Sequence, residues 1–242
     1  MISYRIRFSG KGGARMAGVH DGHRARRKAQ FREHGLDVFT DHGALELLLF
    51  YAVPQKDVNP LAHQLLEHFG SLEAVFSAPP EELEKVDGVG EHAATLLTLI
   101  LPLIRRARME SAKNGISLCS AELLGRYFCE LFFGVRQEIF YEACLDAKGK
   151  LLRCCKIADG SVDAVAINIR RIVENALRCR ASAVALAHNH PSGLALPSPD
   201  DNATTLLAYE ALRTVGIELI DHIIVADGDF VSLRDNGLLP SP

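Results

Sequence analysis

Two histidines, His188 and His190, directly follow an apolar stretch at residues 183–187 that is typical of a short buried strand. Residues two apart on a strand point to the same side, so both imidazoles should leave the strand on one face. After a Pro-Ser-Gly turn, Ser198 and Asp201 open a segment with the apolar spacing of a helix. Two imidazoles and one carboxylate make a three-ligand zinc shell whose fourth position stays open for water. The sequence therefore predicts a zinc site of the catalytic kind.

Each of these residues also has a structural interpretation. Ser198 followed three residues later by Asp201, with proline between them at the first helical position, is typical of a capping box. Taken singly, capping is the commoner role for such residues. A hydrogen-bonded histidine pair at a strand end is the corresponding alternative for the other two. Neither alternative explains why a carboxylate returns beside two imidazoles that share a face.

The run His188-Asn189-His190-Pro191-Ser192-Gly193 resembles the RadC-type branch of the JAB1/MPN/Mov34 (JAMM) metalloprotease-like domains. In that family ten residues separate the second histidine from an aspartate, and a serine lies three positions before that aspartate. The same spacing here selects Asp201 over Asp200 and places Ser198 in register. The resemblance covers about residues 20–240.

The resemblance implies one zinc ion per chain, held by His188, His190 and Asp201. It also implies a glutamate on an upstream strand that activates water. The matching position is Glu138, with Glu142 on the same strand face as the competing candidate. Ser198 is implied to donate a hydrogen bond to the oxyanion during hydrolysis of a peptide or isopeptide amide. From the residues alone, Glu138 is equally typical of a solvent-facing charge, and the donor set also suits manganese or iron.

A second candidate site lies at Gly88 and Gly90, which join two predicted helices. Glycine allows the turn and a close backbone approach, and the free N–H groups that open the second helix suit a phosphate oxygen. The segment resembles the helix-hairpin-helix motif, which contacts nucleic-acid backbone without reading bases. Arg105 and Arg106, with the cationic leader, favour sequence-independent binding of duplex or branched DNA. An ordinary helix pair with a solvated basic face is the alternative.

Two classes of function follow. The first is a zinc-dependent metallohydrolase, a JAMM-type metallopeptidase acting on a peptide or protein, that carries a helical nucleic-acid-binding module. The second is a DNA-repair or recombination accessory protein, in which the helical half binds DNA and the zinc domain is structural or binds a partner. The presence of Glu138 favours the first class, because a degenerate domain has no chemical need for that glutamate.

The elements that must position these residues divide the chain in two. Apolar residues recur at helical spacing before residue 108, whereas strand-like alternation and two helical stripes follow residue 117. We expect an α-helical N-terminal domain and an α/β (α+β) C-terminal domain with a mixed sheet. For the latter the resemblance implies a cytidine-deaminase-like JAB1/MPN fold. The predicted segments are a mobile basic leader at 1–23, the helical domain at 24–108, a linker at 109–117 and the metal-binding domain at 118–242.

Composition narrows the classes further. The chain has 242 residues, 48% hydrophobic and 24% charged, with a net charge of −3, which excludes a disordered tail, a fibre and a uniformly basic nucleic-acid coat. Its longest apolar stretch, at 93–104, is shorter than the roughly 20 residues of a membrane span. Six cysteines without a C-x-x-C pair indicate a reducing compartment, with a single disulfide as the alternative. We expect a soluble cytoplasmic protein without membrane contact, and the sequence leaves self-association open.

Overall fold

The computed structural model describes residues 19–54, 56–112, 116–160 and 169–240. The chain divides into two compact units, Met1–Leu97 and Thr98–Pro242. Of the predicted leader, residues 1–18 lie outside the described part of the chain, and the first helix begins at Val19. The prediction of a helical N-terminal region and a C-terminal α/β domain with a mixed sheet is confirmed.

The first unit is built of helices around one apolar core. They are α1 (Val19–His34), α2 (Asp41–Ala52), α3 (Asn59–Phe69), α4 (Leu72–Ser77), α5 (Pro80–Leu83) and the start of α6 (Glu91–Ala112). Local signals set the ends of α3 and α4: Gly70 ends α3 with a φ of +87°, and the Ser71 hydroxyl accepts the Ala74 N–H to cap α4. Leucines from α2, α3 and α6 are completely buried, among them Leu45, Leu65 and Leu97.

Basic side chains of α1 hold this helix on α2. The Arg24 guanidinium donates to the carbonyls of Phe50 (3.2 Å) and Val53 (2.8 Å) and lies over the Phe50 ring. Lys28 lies over the ring of Tyr51 at 4.6 Å. Part of the positive charge that the sequence concentrates near its start is therefore used in packing.

Helix α6 extends through the start of the predicted linker. It ends at Ala112, so residues 109–112 are helical, and residues 113–115 lie outside the described part of the chain. In this last turn the Met109 side chain is buried in a core of the second unit. The first four residues of the predicted linker are therefore helical, and the division of the chain at 109–117 stays a prediction.

The second unit is a five-stranded sheet covered by helices on both faces. Besides the end of α6 it contains α7 (Ala121–Phe132), β1 (Ile139–Leu145), β2 (Leu151–Asp159), α8 (Ile169–Cys179), β3 (Ala183–Asn189), α9 (Pro199–Thr214), β4 (Glu218–Ala226) and β5 (Asp229–Ser232). The strand order is β2-β1-β3-β4-β5, with β3 and β4 parallel and the other pairs antiparallel. Apolar side chains of α8 and α9 pack on one face and those of α7 on the other.

A close helix–strand approach fixes α7 on the sheet. A Cβ added at Gly125 would lie 2.3 Å from ring carbons of Phe230 on β5, so this position has no room for a side chain. Glycine here allows the aromatic ring to pack against the helix backbone.

No helix among the described residues has both the length and the apolar content needed to cross a membrane. The six cysteines all lie in the described part of the chain and are all free thiols.

Candidate metal centre

Three of the predicted ligands converge at one end of the sheet. His188 lies near the end of β3, His190 follows it directly, and Asp201 lies in the first turn of α9. The two histidine Nε2 atoms are 2.9 Å apart. His188 Nε2 lies 3.0 Å from Asp201 Oδ1, and His190 Nε2 lies 3.5 Å from Asp201 Oδ2. The structure thus brings the carboxylate at the start of α9 beside the two imidazoles at the end of β3.

His190 is held by two backbone groups, one of which contacts its ring. Its main-chain N–H donates to Val225 O on β4 at 2.8 Å, and its Nδ1 lies 3.0 Å from Leu194 O. A carbonyl oxygen can only accept, so Nδ1 must carry the proton and donate it to Leu194. In the neutral imidazole the Nε2 lone pair then points toward His188 and Asp201.

The ring of His188 has a buried side-chain partner instead. Its Nδ1 lies 2.9 Å from Nε2 of His222 on β4, and His222 Nδ1 lies 2.6 Å from the Thr205 hydroxyl on α9. His222 and Thr205 are completely buried, and His188 is 1% exposed. Burial lowers the pKa of His222, which favours its neutral form.

Asp201 and Ser198 form the capping box that the sequence pattern predicts. The Ser198 hydroxyl accepts the Asp201 N–H at 3.1 Å, and the Ser198 N–H donates to Asp201 Oδ2 at 2.7 Å. The Ser198 hydroxyl also donates to Asp201 Oδ2, at 2.7 Å. The capping contacts therefore orient the carboxylate, and its Oδ1 atom is directed at His188.

The electrostatics of the cluster favour a bound cation. Burial raises the pKa of Asp201, but the adjacent imidazoles of His188 and His190 outweigh it and hold that pKa well below its usual range. The hydrogen bond to Asp201 is the main cause of the raised pKa of His190. Two nitrogen lone pairs cannot face each other at 2.9 Å without a proton or a metal ion between them. Two imidazole nitrogens and a carboxylate oxygen fit the donor preferences of zinc.

Glu138 belongs to the same cluster. One carboxylate oxygen of Glu138 and one ring nitrogen each of His188 and His190 all lie within 4.8 Å of one another. The side chain is half-buried and borders a cleft of about 390 Å³ lined by Gln137, Glu138, Asp159, Gly160 and Pro191. Glu138 therefore faces both the candidate ligands and an open space.

Asn189, between the two histidines, holds the chain on both sides of Glu138. Its Oδ1 accepts the Ile139 N–H at 2.9 Å, and its Nδ2 donates to Gln137 O at 3.0 Å. The side chain is 4% exposed. It therefore ties the segment that carries Glu138 to the segment that carries the histidines.

Glu142, the competing candidate for the base, has different partners. It is completely buried, accepts a hydrogen bond from Asn175 Nδ2 at 3.1 Å and lies 3.6 Å from Cys144 Sγ. Burial raises the pKa of Glu142 to about 7. The partners of Glu142 come from α8 and from its own strand. The geometry therefore favours Glu138 as the glutamate that belongs to the metal cluster.

The residues predicted to contact nucleic acid lie in the turn before α6 and on α6 itself. Gly88, with a φ of +91°, and Gly90 lie between α5 and α6, and Gly90 O accepts the first helical N–H groups, from Ala93 and Ala94. Arg105 is half-buried and Arg106 is exposed on α6. Nucleic-acid contact by these four residues stays a prediction.

Sequence reasoning missed the roles of His222 and Thr205. The segment Asp221-His222 lies within the extent of the family resemblance, but no spacing rule connects His222 to a residue 34 positions earlier. Thr205 has only the signal of a polar residue within the apolar stripe of α9.

Comparison with known proteins finds one matching family model and several similar proteins. A family model described as a RadC-like JAB domain matches residues 118–238. A UPF0758 protein of Rhodobacter capsulatus is 37% identical over 88% of this chain and 99% of its own length. A UPF0758 protein of Bordetella parapertussis is 38% identical over 85% of this chain and 92% of its own length. A UPF0758 protein of Janthinobacterium sp. (strain Marseille) is 34% identical over 86% of this chain and 92% of its own length.

Proposed function

The chain belongs to the RadC-like JAB domain family, and on that premise we propose that it is a zinc-dependent hydrolase of peptide or isopeptide amides. The proposed ligands of one zinc ion per chain are His188, His190 and Asp201. The observation that carries the proposal is the convergence of these three side chains beside Glu138. A cytidine-deaminase-like relation of the sheet and a helix-hairpin-helix in the first unit stay predictions.

Zinc, when bound, supplies Lewis acidity that polarises a carbonyl group and makes water a stronger acid. Glu138 is the proposed general base, because its carboxylate lies beside the ligand cluster and borders a cleft. It accepts a proton from the attacking water and later donates it to the leaving amine. Asn189 keeps the Glu138 segment in place through its two backbone contacts.

Ser198 is the proposed hydrogen-bond donor to the oxyanion. In this structure its hydroxyl donates to Asp201 Oδ2. The hydroxyl must therefore turn away from Asp201 to donate to a substrate, while the Ser198 backbone N–H keeps its own contact with the carboxylate.

Zinc binding to the full chain tests the ligand assignment. We expect wild type to retain one zinc ion per chain after dialysis, measured by elemental analysis, and His188→Ala and Asp201→Asn to lose it. Asp200→Asn is the matched control, because Asp200 is an exposed neighbouring carboxylate and its loss should change nothing. Zinc retention by His188→Ala would contradict the assignment.

Glu138→Gln tests the hydrolase separately from the metal site. This variant should keep zinc and lose cleavage of a peptide and isopeptide substrate library that wild type cleaves. The reason is that glutamine keeps the shape of glutamate but cannot accept the proton. Unchanged cleavage by the variant would assign the base to another group.

A second candidate function, nucleic-acid binding, is favoured by one observation in the second unit. A cleft of about 670 Å³ between β2 and α8 is lined by five basic side chains and one acidic one. The basic residues are Arg153, Lys156, Arg170, Arg171 and Arg178. Such a local concentration of charge, in a chain whose net charge is −3, suits a phosphate backbone.

Charge reversal distinguishes DNA binding at this cleft from DNA binding at Arg105 and Arg106 on α6. If duplex DNA binds here, Arg153→Glu with Arg178→Glu should weaken binding in 50 mM salt and reduce its salt dependence. The paired control, Arg105→Glu with Arg106→Glu, should have less effect. The reverse ranking would place the contact on α6, and no binding by wild type would remove nucleic acid as a partner.

A further inference from the structure

We propose that Thr205 and His222 are positioning residues that fix the ring of His188 in the one tautomer able to bind a metal through Nε2. The inference rests on the proposed metal centre. It goes beyond that proposal, because neither Thr205 nor His222 is itself a proposed metal ligand. The argument follows from the direction of three consecutive hydrogen bonds.

The first direction is set by the backbone of α9. The Thr205 hydroxyl lies 2.6 Å from Asp201 O, and a carbonyl oxygen can only accept. The single hydroxyl proton of Thr205 is therefore donated to Asp201. Toward His222 Nδ1, at 2.6 Å, the same hydroxyl can only accept.

The second and third directions follow from the first. His222 Nδ1 must carry a proton and donate it to Thr205. The His222 ring is completely buried between a hydroxyl and an imidazole, where an uncompensated charge is costly, so the ring is neutral and its Nε2 atom has a lone pair. That lone pair lies 2.9 Å from His188 Nδ1, which must then be the protonated nitrogen of His188. The remaining nitrogen, His188 Nε2, points to His190 and Asp201.

The opposite arrangement has two faults. A proton on His222 Nε2 would leave a lone pair on Nδ1 facing the lone pairs of the Thr205 oxygen, in a site closed to water. It would also force His188 Nδ1 to accept, which places the His188 proton on Nε2 and blocks that atom as a ligand. The hydroxyl of Thr205 on α9 thereby selects the ligand atom of His188 on β3.

The same hydroxyl links two proposed ligand residues. Thr205 bonds the main chain of Asp201, and His222 on β4 connects it to His188 on β3. Phe140 stacks on the His188 ring with an interplanar angle of 8° and a centroid separation of 5.7 Å, which restricts rotation of the ring. Together these contacts hold the ring plane and its tautomer before an ion binds.

Thr205→Val tests the proposal, because valine keeps the shape of threonine and removes the hydroxyl. We expect the zinc dissociation constant, measured by competition with a chromophoric chelator, to rise by about 10- to 100-fold, the usual effect of losing an outer-shell partner. Thr205→Ser restores the hydroxyl and should bind zinc within about threefold of wild type.

Thr214→Val is the matched control. Thr214 lies on the same helix and donates to a carbonyl four residues earlier, Glu210 O at 2.8 Å, but contacts no histidine. Its loss should leave zinc affinity unchanged. An equal loss of affinity in Thr205→Val and Thr214→Val, or no loss in a folded Thr205→Val, would overturn the proposal.

Nitrogen NMR of the histidine rings in the metal-free wild type tests the tautomer directly and does not depend on zinc binding. His222 should be protonated on Nδ1 and unprotonated on Nε2, and a proton on Nε2 would overturn the proposal even if Thr205→Val fails to fold. Failure of the wild type to bind zinc would contradict the metal centre instead, so the two failures are distinguishable.

Discussion

The burial of Glu142 predicts how the free energy of unfolding changes with pH. Its carboxyl is completely buried, and burial raises its pKa from 4.5 to about 7, against the smaller opposing effects of Asn175 and Cys144. In the unfolded chain the pKa returns to its ordinary value. Between pH 4.5 and about 7 the folded protein therefore binds more protons than the unfolded chain, so stability falls as pH rises through this range.

The expected size follows from the width of that range. At 1.36 kcal/mol for each pH unit, the ionised Glu142 lowers the free energy of unfolding by about 3 kcal/mol above pH 7, relative to pH 4. Glu142→Gln removes the titration and keeps an oxygen that can accept from Asn175. The free energy of unfolding of the variant minus that of wild type should therefore rise by about 3 kcal/mol from pH 4 to pH 8.

Urea unfolding of both proteins at several pH values, with a chelator present, measures this difference. The chelator removes any contribution from metal binding. Glu174→Gln is the matched control, because Glu174 is an exposed glutamate of α8 and should give the wild-type pH profile. Identical pH profiles for wild type and Glu142→Gln would refute the inference that Glu142 is buried and protonated near neutral pH.

Three further substitutions test other contacts of the site. Asn189→Ala removes the acceptor of the Ile139 N–H, so hydrogen exchange at that amide should accelerate while zinc content stays constant; unchanged exchange would contradict the contact. Ser198→Ala removes the cap of α9 and should cost about 1 kcal/mol in thermal or urea unfolding, whereas no loss would contradict capping. Gly193→Ala should cost at least about 1 kcal/mol, because φ is +83° and a Cβ would lie 2.7 Å from Asp227 Oδ2; a variant as stable as wild type would contradict this loop geometry.

The parts of the site that sequence reasoning found were those with local signals. His188 and His190 lie at the end of an apolar strand, and a spacing of two places both rings on one face. Ser198 and Asp201 carry a capping pattern, and the capping box is present. The capping and metal interpretations of Asp201 are compatible, because Oδ2 accepts from Ser198 while Oδ1 lies 3.0 Å from His188 Nε2.

Two elements that sequence reasoning missed carry local signals, whereas one contact of the site depends on the pairing of distant elements. Strand β5 has four residues and was not predicted, although Asp227-Gly228 before it is a hairpin signal. Helix α7 was not assigned, although the Ser120 hydroxyl caps it and Leu124, Phe128 and Phe132 recur at a spacing of four. The contact between His188 and His222 could not be predicted, because it requires the parallel pairing of β3 with β4.

The most direct test of the metal centre is the position of the ion itself. Crystals of the full chain grown with zinc, measured at the zinc absorption edge, should give one anomalous peak per chain. The peak should lie about 2.0–2.2 Å from His188 Nε2, His190 Nε2 and a carboxylate oxygen of Asp201. A peak at other side chains, or none at these three residues under saturating zinc, would contradict the account.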